Sequence, residues 1–253
     1  DPGLSDMHTV TIDWGDGRQD EVELPVGDRD LTIDHQYQDD DPSGTSQDDY
    51  TISVTVRDDA GTELSDSTTV TVFNVAPSII FNDPVQMINE GEEALLSFAF
   101  PDPGLLDTHT VVIDWGDGNS ETVSLGAGVL NFGGVTHTYL DDDPTATAAD
   151  NYTITVTVAD DDEAGVTASA TQVVNVANVA PTLGSIVMTD INENGSSTLS
   201  GTISDPGTQD TFTLVVNWGD GSALETFNYG AGTTSFSETH QYLDDNPTGT
   251  SND

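Results

Sequence analysis

The sequence contains no cysteine, no lysine, only three arginines and no apolar run long enough to cross a bilayer. Each absence excludes a class of chemistry. Without cysteine there are no disulfides, thiolate metal sites or cysteine nucleophiles, and the redox compartment is left undetermined. Without lysine there is no Schiff-base chemistry, no phosphate-loop lysine and no Lys–Asn isopeptide staple. Arg18, Arg29 and Arg57 cannot neutralise a phosphate backbone, which excludes nucleic acid, and they do not favour an anionic membrane surface. Membrane insertion by an apolar helix is excluded as well, since about 18 to 20 consecutive apolar residues are required. An export signal would have to lie outside these residues. What is abundant is acid: 46 Asp and Glu against 3 Lys and Arg give a formal charge of −43 over 253 residues.

Such charge with modest hydrophobicity is compatible with disorder, but the apolar residues are patterned. Tyr50 to Val56 and Tyr152 to Val158 alternate large apolar side chains with Ser or Thr over seven positions. This is the pattern of a half-buried antiparallel strand. With β-branched residues throughout and no helical periodicity, the fold class is all-β.

The chain also repeats itself. Asp13-Trp14-Gly15-Asp16-Gly17 returns at 114–118 and, with Asn217 in first place, at 217–221. Asp-Pro-Gly at 1–3, 102–104 and 205–207, His-x-Tyr at 35–37, 137–139 and 240–242, and Asn-Val-Ala-Pro at 74–77 and 178–181 keep the same step of about 102 residues. Proline in Asn-Val-Ala-Pro cannot donate to a ladder and holds the preceding residue extended, so these segments read as short linkers. The expected division is a partial repeat over 1–75 lacking its first two strands, a complete repeat over 76–178, and a partial repeat over 179–253 lacking its last two. The middle unit shows strand-like runs at 77–83, 93–100, 108–115, 120–125, 129–139, 151–160 and 166–177, the count of a β-sandwich. Tyr152 is placed for a tyrosine corner.

Trp-Gly-Asp-Gly, then His-Thr-Tyr (137–139), then Asn-Tyr-Thr-Ile-Thr-Val-Thr-Val-Ala-Asp-Asp (151–161), with the opening Ala-Pro and Asn89-Glu90-Gly91, resemble the PKD (polycystic kidney disease) type of immunoglobulin-like repeat. The resemblance covers the whole middle unit and the surviving parts of the others. It departs in lacking the aromatic often found within the tryptophan motif and in an acidic lengthening from Asp141 onward. It implies tandem immunoglobulin-like β-sandwiches arranged end to end, in microbes common in surface adhesins, surface layers and secreted hydrolases as non-catalytic modules.

No catalytic constellation emerges. The histidines of His-x-Tyr lie near acidic loops but no serine elbow accompanies them, and His8 and His109 have Phe212 as their third counterpart. Trp-Gly-Asp-Gly lacks the lysine and helix of a phosphate cradle and reads as a core tryptophan followed by a tight turn.

The acidic loops carry the functional expectation. In a sandwich of alternating strands, the loops after the first, third and fifth strands lie at the end facing the next repeat, and the others at the opposite end. Across the first linker this gathers Asp16 and Asp39 to Asp41 with Asp102, Asp107 and Asp160 to Asp162, Asn74 lying between. Across the second it gathers Glu90, Asp117 and Asp141 to Asp143 with Asp205 and Asp210, Asn178 lying between. Converging carboxylates repel by about 4 kcal/mol per pair at 4 Å and an effective dielectric near 20. Ca²⁺, which takes six to eight hard oxygens, suits such a joint better than Mg²⁺. The competing reading is a solvated acidic coat.

The function expected from these features is a calcium-stiffened, extracellular or cell-surface structural array. Its partners would be neighbouring repeats of the same or identical chains, with any surface ligand at a tip outside this stretch. The alternative is an accessory polysaccharide- or protein-binding module of a secreted hydrolase. The aromatics available for a sugar platform (Phe132, Phe227, Tyr229, Phe236) do not recur at matching positions, which disfavours it. Asn151 and Asn194 open glycosylation sequons.

Overall fold

The structure, a computed structural model, describes residues 5–40, 43–82, 84–142, 147–162 and 167–243. It is all-β, with no helix among the described residues. The first four strands, β1 (His8–Asp13), β2 (Gln19–Leu24), β3 (Gln47–Asp58) and β4 (Glu63–Phe73), form one antiparallel sheet in the order β2-β1-β3-β4. The next eight are β5 (Ile80–Phe81), β6 (Gln86–Asn89), β7 (Glu93–Ala99), β8 (His109–Asp114), β9 (Ser120–Leu125), β10 (Asn131–Thr138), β11 (Ala149–Ala159) and β12 (Thr167–Ala177). They form two sheets, β10-β7-β5 and β6-β12-β11-β8-β9. The last five, β13 (Thr182–Met188), β14 (Ser196–Ser204), β15 (Phe212–Val216), β16 (Glu225–Tyr229) and β17 (Ser235–Gln241), form β13-β14-β17 and a β15-β16 hairpin.

The two middle sheets close a sandwich. From one face come Ala94, Leu96, Phe98, Phe100 and Phe132, and from the other Val111, Ile113, Trp115, Ile154, Val156, Val158, Val174 and Val176. In β11 the alternation runs through Tyr152, Ile154, Val156 and Val158, all buried, because successive side chains leave a strand on opposite faces. That alternation continues past the strand end, so Asp160 and Asp162 are also buried. Tyr152 closes a tyrosine corner: its hydroxyl donates to the carbonyl of Asp141 at 3.0 Å, as that of Tyr50 does to Asp39 at 3.1 Å.

The structure departs from the sequence reading at the first run of the middle unit, expected as one strand over 77–83. That run is shortened to β5, and β6 is an added strand. β5 pairs antiparallel with β7, and the chain then crosses to the other sheet, where β6 pairs parallel with β12. Pro84 lies in the crossing, where its missing N–H costs no ladder bond, and its carbonyl accepts from Gln172 Nε2 at 3.0 Å. Residues 29–37 take no strand assignment, whereas the matching run in the middle group is β10, held by β7.

Candidate metal centres

The recurring turn organises each group of strands. In Trp-Gly-Asp-Gly both glycines have φ between 81° and 93°, and Asp13, Asp114 and Asn217 accept from the N–H two residues on. A side chain on Gly116 would meet the Thr153 carbonyl at 2.6 Å. The ring of the His-x-Tyr histidine stacks on the tryptophan with centroids 4.5, 4.8 and 4.7 Å apart, and the tyrosine hydroxyl donates to the tryptophan carbonyl at 2.9 Å in all three. The turn aspartate completes the unit: His35, His137 and His240 Nε2 lie 2.8, 2.7 and 2.9 Å from Asp16, Asp117 and Asp220. Asp16 and Asp117, expected at the linkers, are thus held within their own turns. Burial pushes both carboxyls up, but hydrogen bonds from the histidine and from backbone amides outweigh it and leave both below the usual range. Neither joins a carboxylate cluster.

At the first linker the loop after residue 37 meets the strand ends of the middle sandwich. The N–H of Leu105 donates to the carbonyl of Gln38 at 2.9 Å. Asp39, Asp107 and Asp162 come together, each offering an oxygen within 4.8 Å of the others, and a second group, Asp102, Asp107 and His109, shares Asp107. Asp107 is 2% exposed, and no hydrogen-bond donor reaches either of its carboxylate oxygens. The same holds for both oxygens of buried Asp160 and for one oxygen each of Asp40 and Asp162. Burial first, then the proximity of Asp39, Asp102 and Asp162, raises Asp107 to about 8; burial and the Asp40 and Asp39 charges raise Asp162 to about 7.

The second linker repeats the arrangement. The N–H of Thr208 donates to the carbonyl of Leu140 at 3.1 Å, the counterpart of Leu105 on Gln38. Glu90, Asp141, Asp142 and Asp210 cluster within 4.8 Å. Glu90, 1% exposed, accepts from the linker N–H of Val179 at 2.7 Å through Oε1, while no donor reaches Oε2. Burial and the charges of Asp210, Asp205 and Asp142 raise its pKa despite that bond. Gly207 makes room for this: a side chain there would meet Glu90 Oε2 at 2.5 Å and Asp210 Oδ2 at 2.7 Å, and Gly104 lies against Asp107 in the same way. Asp205 bonds Gly207 N–H at 3.0 Å through one oxygen and leaves Oδ2 without a bond.

No protein-family model matches the chain, and no curated protein matches it. Among solved structures, it is similar to the tetra-tandem repeat in the extending region of a large adhesion protein, at 18% identity and a TM-score of 0.42. That match covers 93% of this chain and 58% of the other. Domains 4–9 of the surface layer protein SbsC match at 11% identity and a TM-score of 0.27, over 78% of this chain and 35% of the other. The chain therefore spans less than two thirds of either.

Of the residues expected at the linkers, the structure gathers Asp39, Asp102, Asp107 and Asp162 at the first and Glu90, Asp141 and Asp210 at the second. Asp160 and Asp205 are buried or half-buried nearby, outside the clusters. The Nδ2 of Asn74 is buried without a hydrogen-bond partner, and the N–H of Asn178 donates to the Ala148 carbonyl at 3.1 Å. Asp41 and Asp143 lie outside the described residues. The site reading missed His109; Asp142 lies in the acidic run expected at the second linker, as Asp40 does in the run expected at the first. Asp40 and Asp142 correspond, since both follow the His-x-Tyr tyrosine by three residues. These clusters can hold a metal ion.

Proposed function

We propose that the chain is a run of PKD-type immunoglobulin-like repeats, 1–75, 76–178 and 179–253, that serves as a non-catalytic structural array at the cell surface or outside the cell. Ca²⁺ bound at the linkers stiffens it, so that it carries an adhesive tip or builds a filament or coat. One observation supports this above all: at both linkers, carboxylates from successive groups of strands converge, with buried oxygens that no donor reaches. Buried anions without counter-charge are costly, and a hard divalent cation satisfies several at once. Oxygen-only surroundings at the second linker favour Ca²⁺ over softer ions. Extracellular modules hold Ca²⁺ at about 10⁻⁴ to 10⁻³ M, and a ligand at 100 times its Kd adds about 2.7 kcal/mol per site to the native state. Calorimetric melting of the whole chain in CaCl₂ and in NaCl of equal ionic strength tests the proposal. The expected result is a clear rise in Tm with Ca²⁺ alone; an equal rise in NaCl would establish the solvated acidic coat instead.

A further inference from the structure

From the geometry of the first linker we infer that it binds two divalent cations, not one, with Asp107 as the carboxylate bridging them. This rests on the calcium reading above and sharpens it. Asp107 belongs to two separate groups of ligand atoms, one reaching across the linker to Asp39 and Asp162 and one reaching back to Asp102 and His109. Its two oxygens are both buried and both without a donor, which leaves one oxygen available to each of two ions.

The surrounding residues define the inner position. His109 Nε2 lies 3.1 Å from Asp102 Oδ2, and a carboxylate can only accept, so the imidazole donates there and orients Asp102. The other Asp102 oxygen accepts from Gly104 N–H at 3.0 Å, which fixes the group without exhausting its lone pairs. Ala159 pairs with Thr110 in the β11–β8 ladder, so continuing the register sets Asp160 opposite His109, on the inward face. Asp160 is 7% exposed, and both its oxygens lack donors. The inner ion thus takes Asp102 and Asp107 from the group that His109 completes, with Asp160, set opposite His109 by the register, as a further buried carboxylate; the outer ion takes Asp39, Asp107 and Asp162, beside Asp40.

Charge supports the count. Asp39, Asp40, Asp102, Asp107, Asp160 and Asp162 bring six carboxylates to this linker. Arg18, the guanidinium on this side, donates to Gln38 Oε1 at 2.6 Å. One divalent ion leaves most of that charge uncompensated in a buried setting, whereas two reduce it to a level that hydrogen bonds can hold.

Equilibrium dialysis of Ca²⁺ on the whole chain tests the inference by difference. Asp39→Asn and Asp102→Asn should each lose one equivalent relative to the unsubstituted protein, and Asp107→Asn should lose two. If Asp107→Asn loses only one, or Asp102→Asn none, the bridge is wrong while calcium binding at the linkers stands. If the unsubstituted chain binds no Ca²⁺, the functional reading itself fails. A second measurement covers the case in which Asp107→Asn does not fold. With mixed Tb³⁺ and Eu³⁺ on the unsubstituted chain, close ion pairs should give terbium-to-europium energy transfer that Asp102→Asn abolishes. Transfer undiminished in Asp102→Asn, or absent from the start, overturns the inference.

Discussion

At the scale of single residues, the candidate metal centres combine small groups that leave room with carboxyls forced to hold protons. Gly207 carries the first feature, because the Glu90 and Asp210 carboxylates occupy the space a Cβ would need. Gly207→Ala should weaken Ca²⁺ at the second linker at least about tenfold, or about 1.4 kcal/mol, and leave melting of the middle sandwich unchanged; calcium titration and calorimetry of the same sample check both. Asp107, at about 8, and Asp162, at about 7, carry the second. Their folded pKa values lie above the unfolded value of about 3.9, so the folded chain holds these protons more tightly than the unfolded one. Metal-free stability therefore falls as pH rises from about 4 through 8. Ca²⁺ must displace the same protons, so its affinity should rise between pH 6 and 8, with proton release. Titration calorimetry in two buffers of different ionisation heat measures that release; affinity independent of pH across this interval would contradict the assignment.

At the scale of elements, the same short turn is used in three places with different demands on its glycines. Gly116 has φ +81° and its missing Cβ would lie 2.6 Å from the Thr153 carbonyl, whereas Gly118 has φ +93° and open space around it. Backbone strain of about 1–3 kcal/mol applies to both, but only Gly116→Ala also drives a side chain into β11. Chemical denaturation should show Gly116→Ala as clearly the more destabilising, by about 1 kcal/mol or more over Gly118→Ala. The turn also governs the acidic loop downstream. Trp115 carries His137 on its face, His137 meets Asp117, and Tyr139 returns to the Trp115 carbonyl. The chain then leaves the sandwich in a set direction, and Tyr152 pins it again at Asp141. Asp141 and Asp142 consequently reach the second linker beside two fixed points, Tyr139 and the Asp141 carbonyl.

At the scale of the whole molecule, three groups of strands follow one another through two linkers, and the contacts across each linker recur: a backbone bond to the residue after Asp-Pro-Gly, and a carboxylate cluster beside it. Segments as short as 74–77 and 178–181 are expected to keep the groups from folding back on one another. Small-angle scattering of the 253-residue chain should give an elongated particle in Ca²⁺ and a broader range of conformations in chelator, with the β-sheet signal in circular dichroism retained in both. Identical scattering curves in the two conditions would remove the stiffening role, whatever the binding data show.

The sequence by itself determined the all-β class, the repeat near 102 residues, the core tryptophans and the alternation that buries Ile154, Val156 and Val158. These follow from short-range rules: period-two patterning, glycine at positive φ and proline without a donor. It also indicated that acid collects at the linkers, because alternating strands send their loops to opposite ends. Which acids meet was decided by tertiary structure. Asp16 and Asp117 are loop aspartates expected at the linkers, as Asp39 and Asp141 are, yet a histidine some twenty residues away captures each of them, at 2.8 and 2.7 Å. The shortening of the first run to β5, the added strand β6, the sharing of Asp107 between two clusters and the Glu90 bond to Val179 are likewise settled only when distant segments pack. Burial and hydrogen-bond competition depend on three-dimensional neighbours, and no local pattern encodes them.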